Sequence, residues 1–295
     1  MSYATAIRNI TLQFVRTRKQ ELDAGRPYFL RLQPWRPVGE RAVPAGGAWC
    51  VLCRWRGERF DGLAHSESGL CPRCGSIGRD RMLYLSLIQR VPRRRGLRMI
   101  ETSPRLGEKY RQAMGRRADY VTSDYDGRAH RGTIKLDLEK IDLPDDSLDV
   151  LLTAHVLEHV PDTDAALSEI HRVLRPGGHL LLQIPLLQAV TAPPTEPEFH
   201  EDNTPVFWRF GLDLTGRLRA HGFTTRLLVT EELARRVEAR DVDWPDPPFP
   251  EVDANELVLH ADPDDLTVVA SDALAARAWL RPCYMFAVWH CQKPG

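Results

Sequence analysis

Between Leu148 and Pro185 the chain alternates long apolar runs with a polar, periodic segment. Leu148 to Ala154 is nearly all apolar, which fits a strand covered on both faces rather than one with a wet side. A helix is expected to begin where Asp162 or Thr163 can cap free backbone N–H groups, and Leu167, Ile170, Val173 and Leu174 recur on one of its faces. Pro176, Gly177 and Gly178 should end it, and a second apolar strand runs from His179 to Pro185. The three together form a βαβ unit. Its parallel strands place Ala154 to Pro161 at the carboxyl edge of the sheet, where open α/β sheets bind ligands.

The same alternation extends to either side. Strands are expected at Leu97 to Thr102, Ala118 to Ser123 and Thr133 to Leu138, then after Gly222-Phe223 in TTRLLVT and at Cys283 to His290. Arg79 to Val91 reads as a helix. An acidic, proline-rich insertion, Glu231 to Leu280, is unusually long and suits a lid, an acceptor-binding flap or a dimer contact. Residues 1–45 combine a basic amphipathic helix (Ile7, Ile10, Phe14) with a proline- and arginine-rich stretch from Pro27 to Pro44, a linker or a strap against the body, which Trp35 and Trp49 either pin or simply pack beside.

Four of the six cysteines change this picture. Cys50 and Cys53 form one C-x2-C pair, and Cys71 and Cys74 form another after seventeen residues, which is four-thiolate zinc spacing. Residues 46–78 are therefore expected to be a zinc ribbon, and residues 79–295 the main domain. Redox or disulfide roles fit less well in a chain whose N-terminal segment lacks the apolar core of a signal peptide. Cys283 and Cys291 lack metal spacing and read as buried small hydrophobes.

At 295 residues and 43% hydrophobic content a full core can form, and no apolar run approaches the roughly twenty residues of a membrane span. The expectation is a cytoplasmic protein. The net charge of zero hides an asymmetry, because residues 1–135 carry 27 Lys and Arg against 12 Asp and Glu, and the remainder carries 13 against 28. Such a basic half could face phosphates, but only five of the forty basic residues are Lys, so the arginines also fit a compositional bias.

AHVLEHVPD, followed by AL, E, RVLRPGG and an apolar strand, resembles the central part of class I S-adenosylmethionine-dependent methyltransferases; the similarity extends more weakly from about Cys50 to Thr230. His155, Glu158 and His159 also spell the H-x-x-E-H of inverted zinc proteases. That chemistry needs one continuous helix, and the preceding strand and Pro161 argue against it. Glu158 and His159 otherwise read as polar loop residues that satisfy backbone groups.

The resemblance implies a seven-stranded, Rossmann-like α/β sheet ending in an antiparallel pair, with S-adenosyl-L-methionine as donor and methyl transfer by in-line displacement. It places Glu101 at the acid of the first motif, Asp124 at the ribose-binding acid and Asp137-Leu138 at the adenine-contacting pair, with Ala154 and His155 below the sulfonium. Glu101-Thr-Ser-Pro104-Arg-Leu-Gly107 departs from the family by lacking its alternating glycines. His155, then His159, with His200 further off, are the candidate bases. Trp208, Arg209 and Asp213 are candidates to shape the acceptor pocket.

A small-molecule acceptor is the first expectation. Ribosomal or transfer RNA, held by the ribbon and Arg93 to Arg95, is the alternative, and a non-catalytic zinc-ribbon scaffold is the third.

Overall fold

The computed structural model describes residues 47–61, 69–125, 132–186, 188–200, 203–242, 254–280 and 287–295. The expected N-terminal helix and strap, Cys283 and the proline-rich run from Trp244 lie outside the described residues.

A small hairpin opens the described chain, β1 (Ala48–Trp49) and β2 (Arg56–Gly57), followed by α1 (Gly78–Arg90), β3 (Arg98–Thr102), α2 (Glu108–Gly115), β4 (Asp119–Asp124) and β5 (Ile134–Lys135). Then come β6 (Leu148–Ala154), α3 (Thr163–Val173), β7 (Leu174–Gln183), β8 (Glu198–Phe199), β9 (Pro205–Val206) and α4 (Leu214–Ala220). The last part holds β10 (Thr224–Thr230), α5 (Glu231–Ala239), α6 (Ala254–His260), β11 (Leu266–Ala270), α7 (Asp272–Ala278) and β12 (Val288–Gln292).

Eight strands form one sheet in the order β11-β10-β12-β7-β6-β3-β4-β5. All neighbours are parallel except around β12, which runs antiparallel to both β7 and β10. The expected seven strands are therefore corrected to eight. The additional one, β11, comes from the 231–280 insertion and pairs in parallel with β10 at the outer edge. LTVVA is only five residues long in a polar, proline-rich stretch, too short for its periodicity to stand out. Thr133 to Leu138 is shorter than expected, since only Ile134 and Lys135 pair with β4 before Asp137 turns the chain away.

Strand alternation divides the core in two. Met99, Val150, Leu152 and Leu181 face the layer containing α1, α2, α7 and the cysteine hairpin, whereas Ile100, Leu151, Leu180 and Leu182 face α3 and α4. The ribbon residues thus pack into the same hydrophobic cluster as one face of the sheet. Arg81 reinforces that join from a fully buried position: it bonds Ser76 O at 2.7 Å and Ala278 O at 2.6 Å, and lies 4.0 Å over the Phe60 ring.

The βαβ unit follows its sequence closely. Asp162 caps α3 by accepting from Ala165 N at 2.9 Å. The helix stops at Val173, before the expected Pro176-Gly177-Gly178, because Leu174 already pairs with Leu148 and the proline-glycine turn bulges out before His179 pairs with Val150. At this amino end of the sheet, Asp149 is buried and gathers Arg94, Arg98 and Arg175.

Candidate active site and four-cysteine centre

The chain leaves β3 toward β4 and β5, then returns to β6 on the other side of β3. That reversal opens a crevice above the strand tips. A cleft open to solvent lies there. The tips of β3, β6 and β7 supply Glu101, Thr102, Ala154, His155 and Gln183; the loop after β3 supplies Ser103 to Leu106, and α1 supplies Arg79, Asp80 and Leu83. Two residues at the cleft floor hold left-handed backbone, Ser103 at φ +43° and His155 at φ +55°. Each conformation costs a non-glycine residue about 1 kcal/mol or more, and such strain collects at functional sites.

Glu101 is buried, and Tyr120 Oη (2.6 Å) and Tyr110 Oη (2.9 Å) donate to its carboxylate. Burial nevertheless pushes it up to about 7, against those hydrogen bonds. Asp124 ends β4 and accepts from Ser103 Oγ at 2.7 Å, so the loop after β3 is tied to the neighbouring strand tip. Ser103 supplies through its own strained backbone the turn that a glycine would otherwise make. Of the expected donor-binding residues, Glu101, Ala154 and His155 line the cleft, while Asp124 contacts a lining residue. Asp137 and Leu138 lie outside the lining: Asp137 accepts from Glu139 N, and Leu138 is buried in the core.

His155 donates its backbone N–H to Gln183 O at 2.7 Å, and Arg79 Nη1 approaches its ring nitrogens at 3.5 Å. Burial, then the Arg79 guanidinium, hold it well below the ordinary imidazole value. At neutral pH it is therefore uncharged, and the same two causes disfavour the imidazolium that taking a proton would create. His159 does not line the cleft. Its Nδ1 pairs with Pro205 O at 2.7 Å, and its ring meets the exposed His200 edge-on with centroids 4.6 Å apart. Leu157 to His159 form a single 3-10 turn, so no helix carries H-x-x-E-H as a metalloprotease requires.

Glu158 corrects its sequence reading. Only 3% exposed, it has no hydrogen-bond partner on either carboxylate oxygen, and Oε1 faces His155 Nδ1 at 3.7 Å and His159 Nε2 at 3.9 Å. Burial raises it to about 8, so it is largely protonated at neutral pH. A polar residue following a strand ordinarily reaches water, and nothing in the local pattern marked this one as enclosed. Trp208, Arg209 and Asp213 serve the loop around the β8–β9 hairpin: Trp208 Nε1 bonds Pro161 O, Arg209 pairs with Glu198, and Asp213 accepts from Thr191 N and Oγ1. The residues of α1 that wall the cleft were not legible as site residues, because their helix reads only as a connector.

The second centre holds Cys50, Cys53, Cys71 and Cys74, with all four sulfurs within 4.8 Å of one another. Two matching turns deliver them: Cys50 N bonds Trp55 O and Arg54 N bonds Cys50 O, while Cys71 N bonds Ser76 O and Gly75 N bonds Cys71 O. Gly75 closes the second turn at φ +71°. Sγ separations of 3.7 Å (Cys50 to Cys74) and 3.6 Å (Cys53 to Cys71) are far beyond a disulfide. They match the roughly 3.8 Å edge of a tetrahedron with 2.3 Å zinc–sulfur bonds.

The strand order, the antiparallel β12 and the cleft at the reversal point together define a Rossmann-like α/β fold with a mixed sheet. Residues 106–182 match a family described as a methyltransferase domain. It is 31% identical over 146 residues to the malonyl-[acyl-carrier protein] O-methyltransferase of Serratia marcescens, covering 48% of each chain. It is also 46% identical over 50 residues to a ubiquinone/menaquinone biosynthesis C-methyltransferase of Paraburkholderia phymatum, covering 17% of this chain and 21% of that one. The chain thus spans about half or less of these relatives. Among solved structures, an S-adenosylmethionine-dependent methyltransferase from Mesorhizobium loti superposes with a TM-score of 0.43 at 20% identity, covering 72% of this chain and 98% of that one.

Proposed function

We propose that this chain binds S-adenosyl-L-methionine over the tips of β3, β4 and β6 and transfers its methyl group to a small-molecule acceptor. The observation that carries the reading is the cleft at the reversal point, lined by Glu101, Ala154 and His155 within a methyltransferase strand order. The donor brings its own activated methyl group, so the protein has to bind, orient and exclude water. Glu101 receives the amino group of the methionine portion and Asp124 a ribose hydroxyl, both by charge-assisted hydrogen bonds. Asp137 and Leu138 remain assigned to the adenine end by resemblance. Ala154 and His155 form the floor beneath the reacting carbon, and alignment there can supply roughly 7 to 11 kcal/mol of barrier reduction. His155 is our first choice to take the acceptor's proton, against the burial and the Arg79 charge that hold it neutral, and His159 and His200 stand behind it toward the β8–β9 hairpin.

Zinc on the four thiolates is the second part of the reading, supported by the sulfur spacing. Such an ion would contribute folding energy outright to so small a ribbon.

RNA as acceptor has less support. Arg94 and Arg98 are taken up by Asp149, and Arg93 donates to Arg116 O. Asp149 sits at the far end of β6 from Ala154, and a seven-residue strand is about 20 Å long.

Calorimetry of zinc-loaded protein with S-adenosylhomocysteine should give one site per chain. Methyl-labelled S-adenosylmethionine should then label low-molecular-weight acceptors rather than RNA. Absence of any binding heat with folded, zinc-loaded protein refutes the enzyme reading and favours the scaffold.

A further inference from the structure

We propose that Arg105 is a positioning residue that joins the four-cysteine centre to the cofactor cleft, so that zinc and the adenosyl ligand bind with positive coupling. This rests on the reading above, and it accounts for a loop after β3 that has no alternating glycines.

Arg105 lies in that loop, which forms one wall of the cleft; Arg79 and Asp80 of α1 form another. Its guanidinium closes the gap between them. Nε and Nη2 grip both oxygens of Asp80, at 3.2 and 2.7 Å, and Nη2 also donates to Gly75 O at 3.0 Å. Gly75 directly follows the ligand Cys74 in the second cysteine turn. Asp80 in turn accepts from Ile77 N at 2.9 Å and so fixes the first turn of α1 to the end of the knuckle. One side chain therefore contacts the metal knuckle, the helix wall and the loop wall at once.

The far end of the knuckle is tied to the body by Arg81 on Ser76 O, and Cys71 is buried in the core, but among the described residues the Gly75 end has no such tie except Arg105. The partner hairpin β1–β2 pairs two residues a side among the described residues. Cys50, Cys53, Cys71 and Cys74 would hold the ion, which would fix the knuckle and with it Gly75 O, and Arg105 would carry that placement to Ser103, Pro104 and Leu106 on the cleft wall. A glycine-rich loop obtains close approach to a cofactor by lacking side chains; here a side chain fastened from outside positions the loop. Coupling is reciprocal by thermodynamic necessity.

The test uses the full chain. Zinc affinity is measured by equilibrium competition with a chromophoric chelator, with and without saturating S-adenosylhomocysteine. The ligand's Kd is measured by calorimetry on zinc-loaded and zinc-stripped protein, with circular dichroism reporting folding. The expected result is a factor of about five or more, equal in the two directions. In Arg105→Gln, which still binds one zinc, that factor falls toward one. Arg105→Lys keeps the charge but loses the two-pronged grip, and should recover only part of it.

Equal Kd values for loaded and folded, stripped wild type overturn the proposal. If stripping unfolds the chain, the chelator shift in zinc-loaded Arg105→Gln decides: a shift as large as in wild type overturns it. Failure of loaded wild type to bind the ligand at all removes the functional reading and this coupling together. Binding without coupling removes the coupling alone.

Discussion

Glu158→Gln should make the protein more stable at alkaline pH by an amount that can be worked out from burial. The carboxyl is 3% exposed, lacks partners on both oxygens, and is raised from 4.5 to about 8. The groups facing it are His155 and His159 of the same turn and Arg79 of α1. Because the folded value lies above the unfolded one, the folded state holds the proton more tightly. Full stability is present below the unfolded value, and it is lost as pH rises toward the folded one. Integrated from pH 5 to pH 8, that loss is about 3 kcal/mol. Glutamine keeps the shape and never ionises, so the variant escapes the loss. Urea unfolding of zinc-loaded wild type and variant at pH 5, 6, 7 and 8, at fixed ionic strength, should show the stability difference shifting toward the variant by about that amount. Glu101 titrates in an overlapping window, and zinc affinity also varies with pH, but both are common to the two proteins and drop out of the difference. A difference that stays constant with pH means that Glu158 is ionised at ordinary acidity, and the burial argument fails.

Asp124→Asn should weaken S-adenosylhomocysteine binding by roughly ten- to a hundredfold, the worth of a charge-assisted hydrogen bond of about 1.5 to 3 kcal/mol, as read by calorimetry; an unchanged Kd removes the residue from the ribose site. Asp162→Ala removes the cap on α3 and should lower stability by about 1 kcal/mol while leaving ligand affinity unchanged. Cys53→Ser should lower metal content below one ion per chain by elemental analysis; retention of a full equivalent at wild-type affinity would contradict four-thiolate ligation.

The sheet was legible wherever a strand is covered on both faces, since uniform apolarity leaves a continuous signal. Leu148 to Ala154 forms a strand over the same residues that the pattern marks. The cysteine centre was legible because turn chemistry fixes ligand spacing locally. What stayed hidden depends on contacts between distant segments. β11 is defined by its partner β10 rather than by its own five residues. Glu158 is enclosed by tertiary packing, and its backbone O receives Phe207 N from the β8–β9 segment. The α1 wall of the cleft exists only because the ribbon packs against the sheet and aims that helix's first turn at the strand tips. Motif reading could find the acids at β3 and β4, but it could not see that Arg105 takes over what glycines do elsewhere.

Strand β12 follows the other seven strands of the sheet along the chain, yet it lies inside the sheet, with β7 on one side and β10 on the other. During synthesis both of those strands must wait with bare hydrogen-bonding edges while the whole α5–α7 segment emerges from the ribosome. The nascent protein is therefore exposed to mispairing for longer than strand count suggests, and its yield in cells should respond strongly to chaperone supply.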